Sequence, residues 1–487
     1  MRIVCIVIGY ALCLFGCCPY WGALQRVRYK PLRGERCPKL WLLNVISFCI
    51  SLAVCLLWTF FLPEGKWLCL GILVGFIPVA VIDCIQPRIS IRPTARMWRI
   101  ILLTALLYAI VGGFTIAYPS IGSVWPVWGS LQYIVIGVAS LCLYPIEEAR
   151  NRRFIRRMAN KLKAQNVTTV GITGSAGKTT VKRLIQAVLG PLCHTDAGNY
   201  NTPIGLALTI RSMPKGCRYF IAEMGISHPG DMKELLSVVK PDISVLTCVL
   251  PQHTLNFDGV DMIRQEKQKL LDVSSYTVAN TQAKVSKVDL SVGEGGQLFA
   301  ENIQIERTCT RFDLCHQGTR HPIILPLLGR GCVQDALLAA GVLLHLGYSY
   351  RQMQVAWQQM VPEPHRMQLV RNDRGITVID DSYNCNIAGA DYALEYLSVY
   401  EGRKLVACSG ISESDPALYL NFHLGEKIAK VANVLIIVGD TNASELKRGA
   451  GDKIELLQVP STLASQEIYK RLLREGDVLL IMADLPN

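Results

Sequence analysis

Residues 167–189 read VTTVGITGSAGKTTVKRLIQAVL. Val167 to Ile172 is β-branched and apolar, which predicts a buried strand. Gly171, Gly174 and Gly177 punctuate a turn. From Lys178 to Leu189 the apolar residues Val181, Leu184, Ile185 and Val188 recur at helical spacing. Strand, glycine-rich turn and helix make the context that a phosphate-binding loop requires. Glycines let backbone N–H groups approach phosphate oxygens, and the helix N-terminus adds a favourable dipole. Lys178 is placed to neutralise β/γ oxygens, and the Thr179 hydroxyl to reach Mg²⁺. The spacing is G-x2-G-x2-G-K-T-T rather than G-x4-G-K-[ST], because Ile172 stands where the first glycine of the general pattern falls. Gly174, Ser175, Ala176, Gly177, Lys178, Thr179 and Thr180 form the candidate nucleotide-binding set.

Around this loop the chain divides by composition. It has 487 residues, 51% hydrophobic and only 18% charged, with a mean hydropathy of +0.29. That excludes a disordered, collagenous or coiled-coil protein. The net charge of +12 is uneven. Residues 1–146 hold 12 Lys/Arg against Glu35, Glu64 and Asp83, while the remainder holds 38 against 35. A basic excess concentrated in the apolar third reads as a topology signal rather than a nucleic-acid surface. Apolar runs occur at about 2–18, 40–62, 67–83, 99–117 and 127–146. Loops at 19–39 and 84–98 and the segment after 146 are basic, whereas 63–66 carries one lysine and 118–126 no charge. This alternation predicts five membrane helices over 1–146, the N-terminus outside and the rest cytoplasmic, an integral membrane protein. A cleaved signal peptide over 1–22 is the rival reading. Residues 147–164 form a charged linker. The 18 cysteines include no CxxC pair and read as free thiols rather than disulfides or a zinc site.

GITGSAGKTT resembles the ATP loop of the Mur ligases, the ATP-dependent amide ligases of peptidoglycan synthesis. GNYNTPIGLALTI (198–210), AEMGISHPGDM (222–232), KPDISVLTCVLPQHTLNFDG (240–259), HRMQLV (365–370) and IDDSYNCN (379–386) continue the resemblance in order. Within the family they look most like its D-alanyl-D-alanine-adding, MurF-like branch. The resemblance covers about 165–475. It implies a central phosphate-loop ATPase domain of α/β type (165–362) and a Rossmann-like C-terminal domain (363–487). Strands at 376–380, 404–408, 434–438 and 478–482, alternating with helical stretches, agree with a parallel sheet. The full expectation is therefore an α-helical membrane domain followed by two α/β domains.

The implied reaction has two steps. A carboxylate attacks the γ-phosphate of ATP to give an acyl phosphate, and an amine then displaces phosphate. Both steps need positioning and charge neutralisation. Glu223 ends the apolar run Tyr219–Ala222, where a carboxylate suits Mg²⁺, although a helix-capping acid would look the same. His253 matches a family histidine that supports a second metal. Thr179, Glu223 and His253 are thus the candidate metal ligands. His228 also matches, but Pro229-Gly230 after it suits a turn equally well. Lys267 matches a lysine that the family carbamylates; a carbamylated Lys267 requires the neutral amine, hence partial burial. Lys269, two residues on, is its competitor. Arg366 matches an arginine that reaches ATP phosphates, with guanidinium geometry suited to bidentate contact. Lys178, Glu223, His253, Lys267 and Arg366 make the candidate catalytic set. Asp381 and Asn384 match a nucleotide-facing loop, and Asn199, Asn201 and Tyr383 are substrate-facing candidates. Two asparagines before Thr202-Pro203 would also serve a turn.

Three departures from the family pattern stand out. The apolar segment 1–146 occupies the place of the UDP-sugar domain. In LGRGCVQDALLAA (328–340), Gly331, Cys332 and Asp335 replace the family's adenine-contacting His-Asn and Asn. SGISES (409–414) keeps only Glu413 of a family pattern, and VLLIMADLPN lacks the basic stretch that would grip a substrate carboxylate. The sequence thus points to a membrane-anchored ATP- and Mg²⁺-dependent amide ligase of a cell-envelope or polymer precursor. Its partners would be a lipid-linked or polymeric carboxylate donor and an amino acid or peptide amine, with no nucleic acid. A poly-γ-glutamate-synthetase-like ligase and a non-catalytic nucleotide-binding scaffold at the membrane are the alternatives.

Overall fold

A computed structural model describes residues 94–117, 131–196, 198, 200–251, 254, 256–371, 375–383, 385–411 and 419–482, with Tyr10, Leu14, Cys17, Tyr20, Trp21, Leu24 and Gln25. The chain forms two compact units, 1–153 and 154–487.

The first unit contains α1 (Ala95–Ala117) and most of α2 (Gln132–Ala164). Met97, Ile100 and Tyr108 of α1 pack with Ile136 and Ala139 of α2 and with Cys17, Tyr20, Trp21 and Leu24. Arg99 Nε donates to the buried Glu147 at 2.5 Å. Trp98, Leu102, Leu106, Ile110 and Phe114 form an outward apolar ridge on α1. The runs predicted at 99–117 and 127–146 fall on these two helices, while those at 2–18, 40–62 and 67–83 lie largely or wholly outside the described residues. Among the described residues, no helix is long and apolar enough to cross a membrane. On α1, Arg96 and Arg99 occupy the start, and the uncharged stretch from 100 to 117 includes Gly112 and Gly113. On α2, Pro145 and Glu147 end a shorter apolar half. This corrects the expected five-helix membrane domain and the integral-membrane location drawn from it.

The second unit is built on two sheets. The first has nine strands: β1 (Thr168–Thr173), β2 (Cys193–Thr195), β3 (Tyr219–Glu223), β4 (Ile243–Leu246), β5 (Tyr276–Asn280), β6 (Leu290–Val292), β7 (Leu298–Ile305), β8 (Thr310–His316) and β9 (Thr319–Leu325). Their order is β2-β3-β1-β4-β5-β6-β7-β8-β9, parallel through β7 and antiparallel beyond. Its helices are α3 (Lys178–Leu189), α4 (Pro203–Ser212), α5 (Asp231–Leu236), α6 (Gly259–Val273), α7 (Gly331–His345) and α8 (Tyr350–Trp357). Val170 and Ile172 of β1, Val245 of β4 and Leu184 and Ile185 of α3 are fully buried between sheet and helices. Each such side chain contributes roughly 1.5–3 kcal/mol. Runs of β-branched residues buried on both faces are what a covered parallel sheet requires. Trp357 fills the core beside α3 and donates its indole N–H to the Leu184 carbonyl at 3.0 Å. β1 lies between β3 and β4, so the strand order reverses at its carboxyl end, where open α/β sheets bind ligands.

The second sheet has β10 (Gln368–Arg371), β11 (Thr377–Asp380), β12 (Lys404–Cys408), β13 (Val434–Val438), β14 (Glu455–Val459) and β15 (Val478–Met482), with α9 (Ile387–Leu397), α10 (Leu420–Val431), α11 (Ala443–Ala450) and α12 (Thr462–Leu472). The order is β10-β11-β15-β12-β13-β14, parallel except for the edge strand β10.

Candidate active site

The turn between β1 and α3 is clasped by the segment that follows β4. Ser175 N–H donates to the Cys248 carbonyl at 3.0 Å, Leu250 N–H donates to Ser175 Oγ at 3.0 Å, and the Thr247 hydroxyl donates to the Ala176 carbonyl. Two glycines make this possible. At Gly174 (φ +150°) a Cβ would lie 1.8 Å from Thr247 Oγ1, and at Gly177 (φ +79°) it would lie 2.1 Å from Asp335 Oδ1. Any larger residue would either clash or strain the backbone. The loop therefore leads into α3 with open backbone donors at a helix N-terminus, the electrostatic setting for an anion.

Charged side chains converge on this turn from four directions. Lys178 is half-buried and donates to the Gly174 carbonyl at 2.7 Å; burial pushes its ammonium down from its ordinary range, against the pull of Glu223. Lys267 reaches from α6 and donates to Ser175 Oγ at 3.2 Å. It is buried, and that burial, with the charge of Lys178, brings it down to about 7. Its neighbour Lys269 pairs with Glu266 at 2.6 Å and stays half-exposed. Glu223, at the end of β3, accepts the Thr179 hydroxyl at 3.1 Å. From the second sheet, Arg366 Nη2 donates to Thr179 Oγ1 at 3.3 Å, and its guanidinium stacks 4.1 Å from the Tyr383 ring centre.

Other sequence candidates are placed less directly. Asp381 accepts the Met367 N–H at 3.1 Å within its own sheet, and burial raises its carboxyl to about 7. The Asn201 side chain lies against Gly225, where a Cβ would be 2.6 Å from its nitrogen. Thr202 caps α4 by accepting the Gly205 N–H at 3.3 Å, with Pro203 opening the helix. The His228 N–H donates to Asp231 at 2.8 Å in the turn before α5. His253, Asn199 and Asn384 lie outside the described residues.

Lys182 belongs to this site although sequence reasoning did not place it there, and Asp335, aligned with an adenine contact, meets the loop itself. Lys182 is 2% exposed and donates to Asp196 at 3.0 Å, with Glu223 3.3 Å away. Its signal was available: it follows Lys178 by one helical turn. Asp335, at first a mere departure in α7, abuts Gly177 and accepts a hydrogen bond from Thr180. Burial lifts its carboxyl to about 7, opposed by Thr180, Arg366 and Lys178. Chain separation hid this pairing.

Thr179 and Glu223 offer hard oxygen donors beside an anion site, which fits Mg²⁺ held partly through substrate phosphates. Among the described residues, no group of three or more His, Cys, Asp or Glu side chains could cage a metal. A single carboxylate, a hydroxyl and a phosphate-binding loop are a donor set that Mg²⁺ accepts and that softer transition metals do not favour.

Fold and site together define an α/β nucleotide-phosphate-binding protein whose second sheet lends an arginine to the loop of the first. Residues 172–343 match the Mur ligase middle domain, and residues 365–485 match the Mur ligase glutamate ligase domain. The chain belongs to the Mur ligases, a family of ATP-dependent acid–amino acid ligases. It is 26% identical over 264 residues to the UDP-N-acetylmuramoyl-tripeptide–D-alanyl-D-alanine ligase of Buchnera aphidicola, covering 51% of this chain and 57% of that protein. It is 33% identical over 248 residues to the enzyme of the same name from Mycobacterium tuberculosis, covering 47% of this chain and 48% of that protein. The chain thus spans about half the length of these curated relatives. MurF from Thermotoga maritima, solved in complex with ADP, shares the fold with a TM-score of 0.62 at 23% identity, over 69% of this chain and 80% of that one.

Proposed function

We propose that this chain is a MurF-like, ATP-dependent amide ligase that joins a carboxylate donor of a cell-envelope or polymer precursor to an amino acid or peptide amine. In this reading 165–362 is the ATP-binding domain and 363–487 the C-terminal domain. The observation that carries it is the convergence of Lys178, Lys267, Glu223 and Arg366 on one glycine loop, drawn from both sheets.

The roles follow from charge and reach. Gly174 to Thr180 cradle the phosphates of ATP through backbone N–H groups. Lys178 and Arg366 neutralise charge on the transferring phosphoryl group, the largest contribution such a site makes. Thr179 and Glu223 would hold Mg²⁺, with His253 as a further supporting residue; the ion would add charge neutralisation at the phosphate oxygens. Lys267, near neutrality in its amine form, would accept CO₂ and become a carbamate. Asp381 and Asn384 line the nucleotide from the second sheet, while Asn199, Asn201 and Tyr383 face the donor. Closing Arg366 and Tyr383 over the loop excludes water from the acyl phosphate. The names of the relatives suggest UDP-N-acetylmuramoyl-tripeptide as donor and D-alanyl-D-alanine as amine.

The test is phosphate release by the full chain with Mg-ATP. UDP-N-acetylmuramoyl-tripeptide with D-alanyl-D-alanine is offered first, then glutamate or poly-glutamate. Stimulation by one pair, lost in Lys178→Ala, is the expected result. Equal release by wild type and Lys178→Ala would sink the reading, and release indifferent to every amine would turn it toward a nucleotide-binding scaffold.

A further inference from the structure

Lys182 carries more than packing. It stands four residues after Lys178 on α3, so both project from one side of the helix. An ammonium has three N–H donors. Here they meet Asp196 Oδ2 at 3.0 Å, the Gly198 carbonyl at 2.9 Å and Glu223 Oε2 at 3.3 Å. Both carboxylates have second tasks. Glu223 Oε2 also accepts the Thr179 hydroxyl at 3.1 Å, and Asp196 Oδ2 also accepts the Tyr200 N–H at 3.2 Å. Tyr200 leads into Asn201, which rests on Gly225 just beyond β3. One buried ammonium therefore joins the end of β3 to the segment from Asp196 to Asn201. For stability alone, a well-packed apolar side chain would serve as well as this buried ionic cluster.

We propose that Lys182 is a positioning residue that orients Glu223 for Mg²⁺ and ties that carboxylate to Asp196 and Gly198. This rests on the ligase reading above. Groups behind a metal ligand typically alter metal affinity 10–100-fold when lost. The experiment titrates a fluorescent N-methylanthraniloyl-ADP into the full chain with and without Mg²⁺. In Lys182→Met the half-saturating Mg²⁺ rises about tenfold, while Mg²⁺-free affinity stays within about twofold. Asp196→Asn, which weakens the hold on Lys182, raises it about threefold, and the double variant is no worse than Lys182→Met.

An unchanged or tighter Mg²⁺ response in Lys182→Met overturns the proposal, since tightening is what bare loss of a nearby positive charge produces. So does an equal loss of Mg²⁺-free and Mg²⁺-bound affinity with a lowered melting temperature, the mark of a merely structural lysine. If Lys182→Met does not fold, Asp196→Asn carries the test, and its indifference to Mg²⁺ overturns the role. A wild-type chain that binds no nucleotide under either condition overturns the ligase reading and this role together. A wild type that responds to Mg²⁺ and a Lys182→Met chain with the same half-saturating Mg²⁺ overturn only this role.

Discussion

The connection after β1 and the connection after β11 are the same structural event with opposite outcomes. Each leaves a parallel strand at its carboxyl end and enters a helix, α3 in one case and α9 in the other. The first bends through Gly174 and Gly177 at positive φ and enters α3 with no side-chain cap on the helix start. The second runs Asp381, Ser382, Tyr383, and its polar groups turn inward: Asp381 to the Met367 N–H and the Ser382 hydroxyl to Asp380 at 2.6 Å. It ends on Asn386, which caps α9 by accepting the Gly389 N–H at 2.9 Å. A capped helix start has spent its donors, whereas an uncapped one behind glycines can bind an anion. The sheets share a fold class. What separates a nucleotide-phosphate site from a structural turn is two glycines, a lysine and the absence of a cap.

This contrast can be broken most sharply at Lys178. Lys178→Ala should lower ATP-dependent phosphate release by about 100–1000-fold, the worth of one preorganised charge donor. Tyr383→Ala, on the other connection, removes the stacking partner of Arg366 and leaves the charge of the loop in place. It should cost about fivefold, the equivalent of a cation–π contact near 1 kcal/mol. Similar losses in the two variants, measured in one phosphate-release assay, would erase the distinction.

Backbone freedom is the next point of attack. Gly177→Ala must adopt φ +79° and place its methyl against Asp335. We expect a stability loss of about 1–3 kcal/mol in urea unfolding. Adding Asp335→Ala should restore the part due to the clash and leave the part due to φ. Full stability in Gly177→Ala would mean that the loop is looser than its hydrogen bonds indicate.

The last test concerns Lys267. In the folded chain it keeps its proton only below about 7, whereas the unfolded chain keeps it to the ordinary 10.5. The unfolded state binds more protons between these values, so this lysine makes the fold more stable as pH rises through that window. Its cost is greatest at and below pH 7. Lys267→Met removes the cost, so the variant should gain most over wild type near pH 7 and lose that advantage at about 1 kcal/mol per pH unit toward pH 10. Parallel melting temperatures across the window would show that Lys267 is hydrated.

Much of the second unit is legible in its sequence. The helix expected from Lys178 to Leu189 has those ends, and the strands expected at 404–408, 434–438 and 478–482 occupy those residues. Long apolar runs between glycines leave a buried strand few alternatives. β4 stops at Leu246, because the residues beyond it turn to clasp the glycine loop. The first unit misled the same kind of reading. Hydropathy saw apolar length, but Arg96 and Arg99 stand at one helix start, Pro145 and Glu147 interrupt the other, and among the described residues no helix is long and apolar enough to cross a membrane.

By itself the sequence determined the local chemistry: a glycine turn, a lysine at a helix start, carboxylates at strand ends and the alternation that makes parallel sheets. Those depend on residues within one or two turns of each other, where spacing dictates geometry. Tertiary structure alone decided which distant groups share a site. It chose Lys267 over Lys269 for burial, brought Arg366 to Thr179, set Asp335 on Gly177 and locked Lys182 between Asp196 and Glu223. Each pairing joins segments that only the order of the strands brings together, and burial then gives those charges their strength.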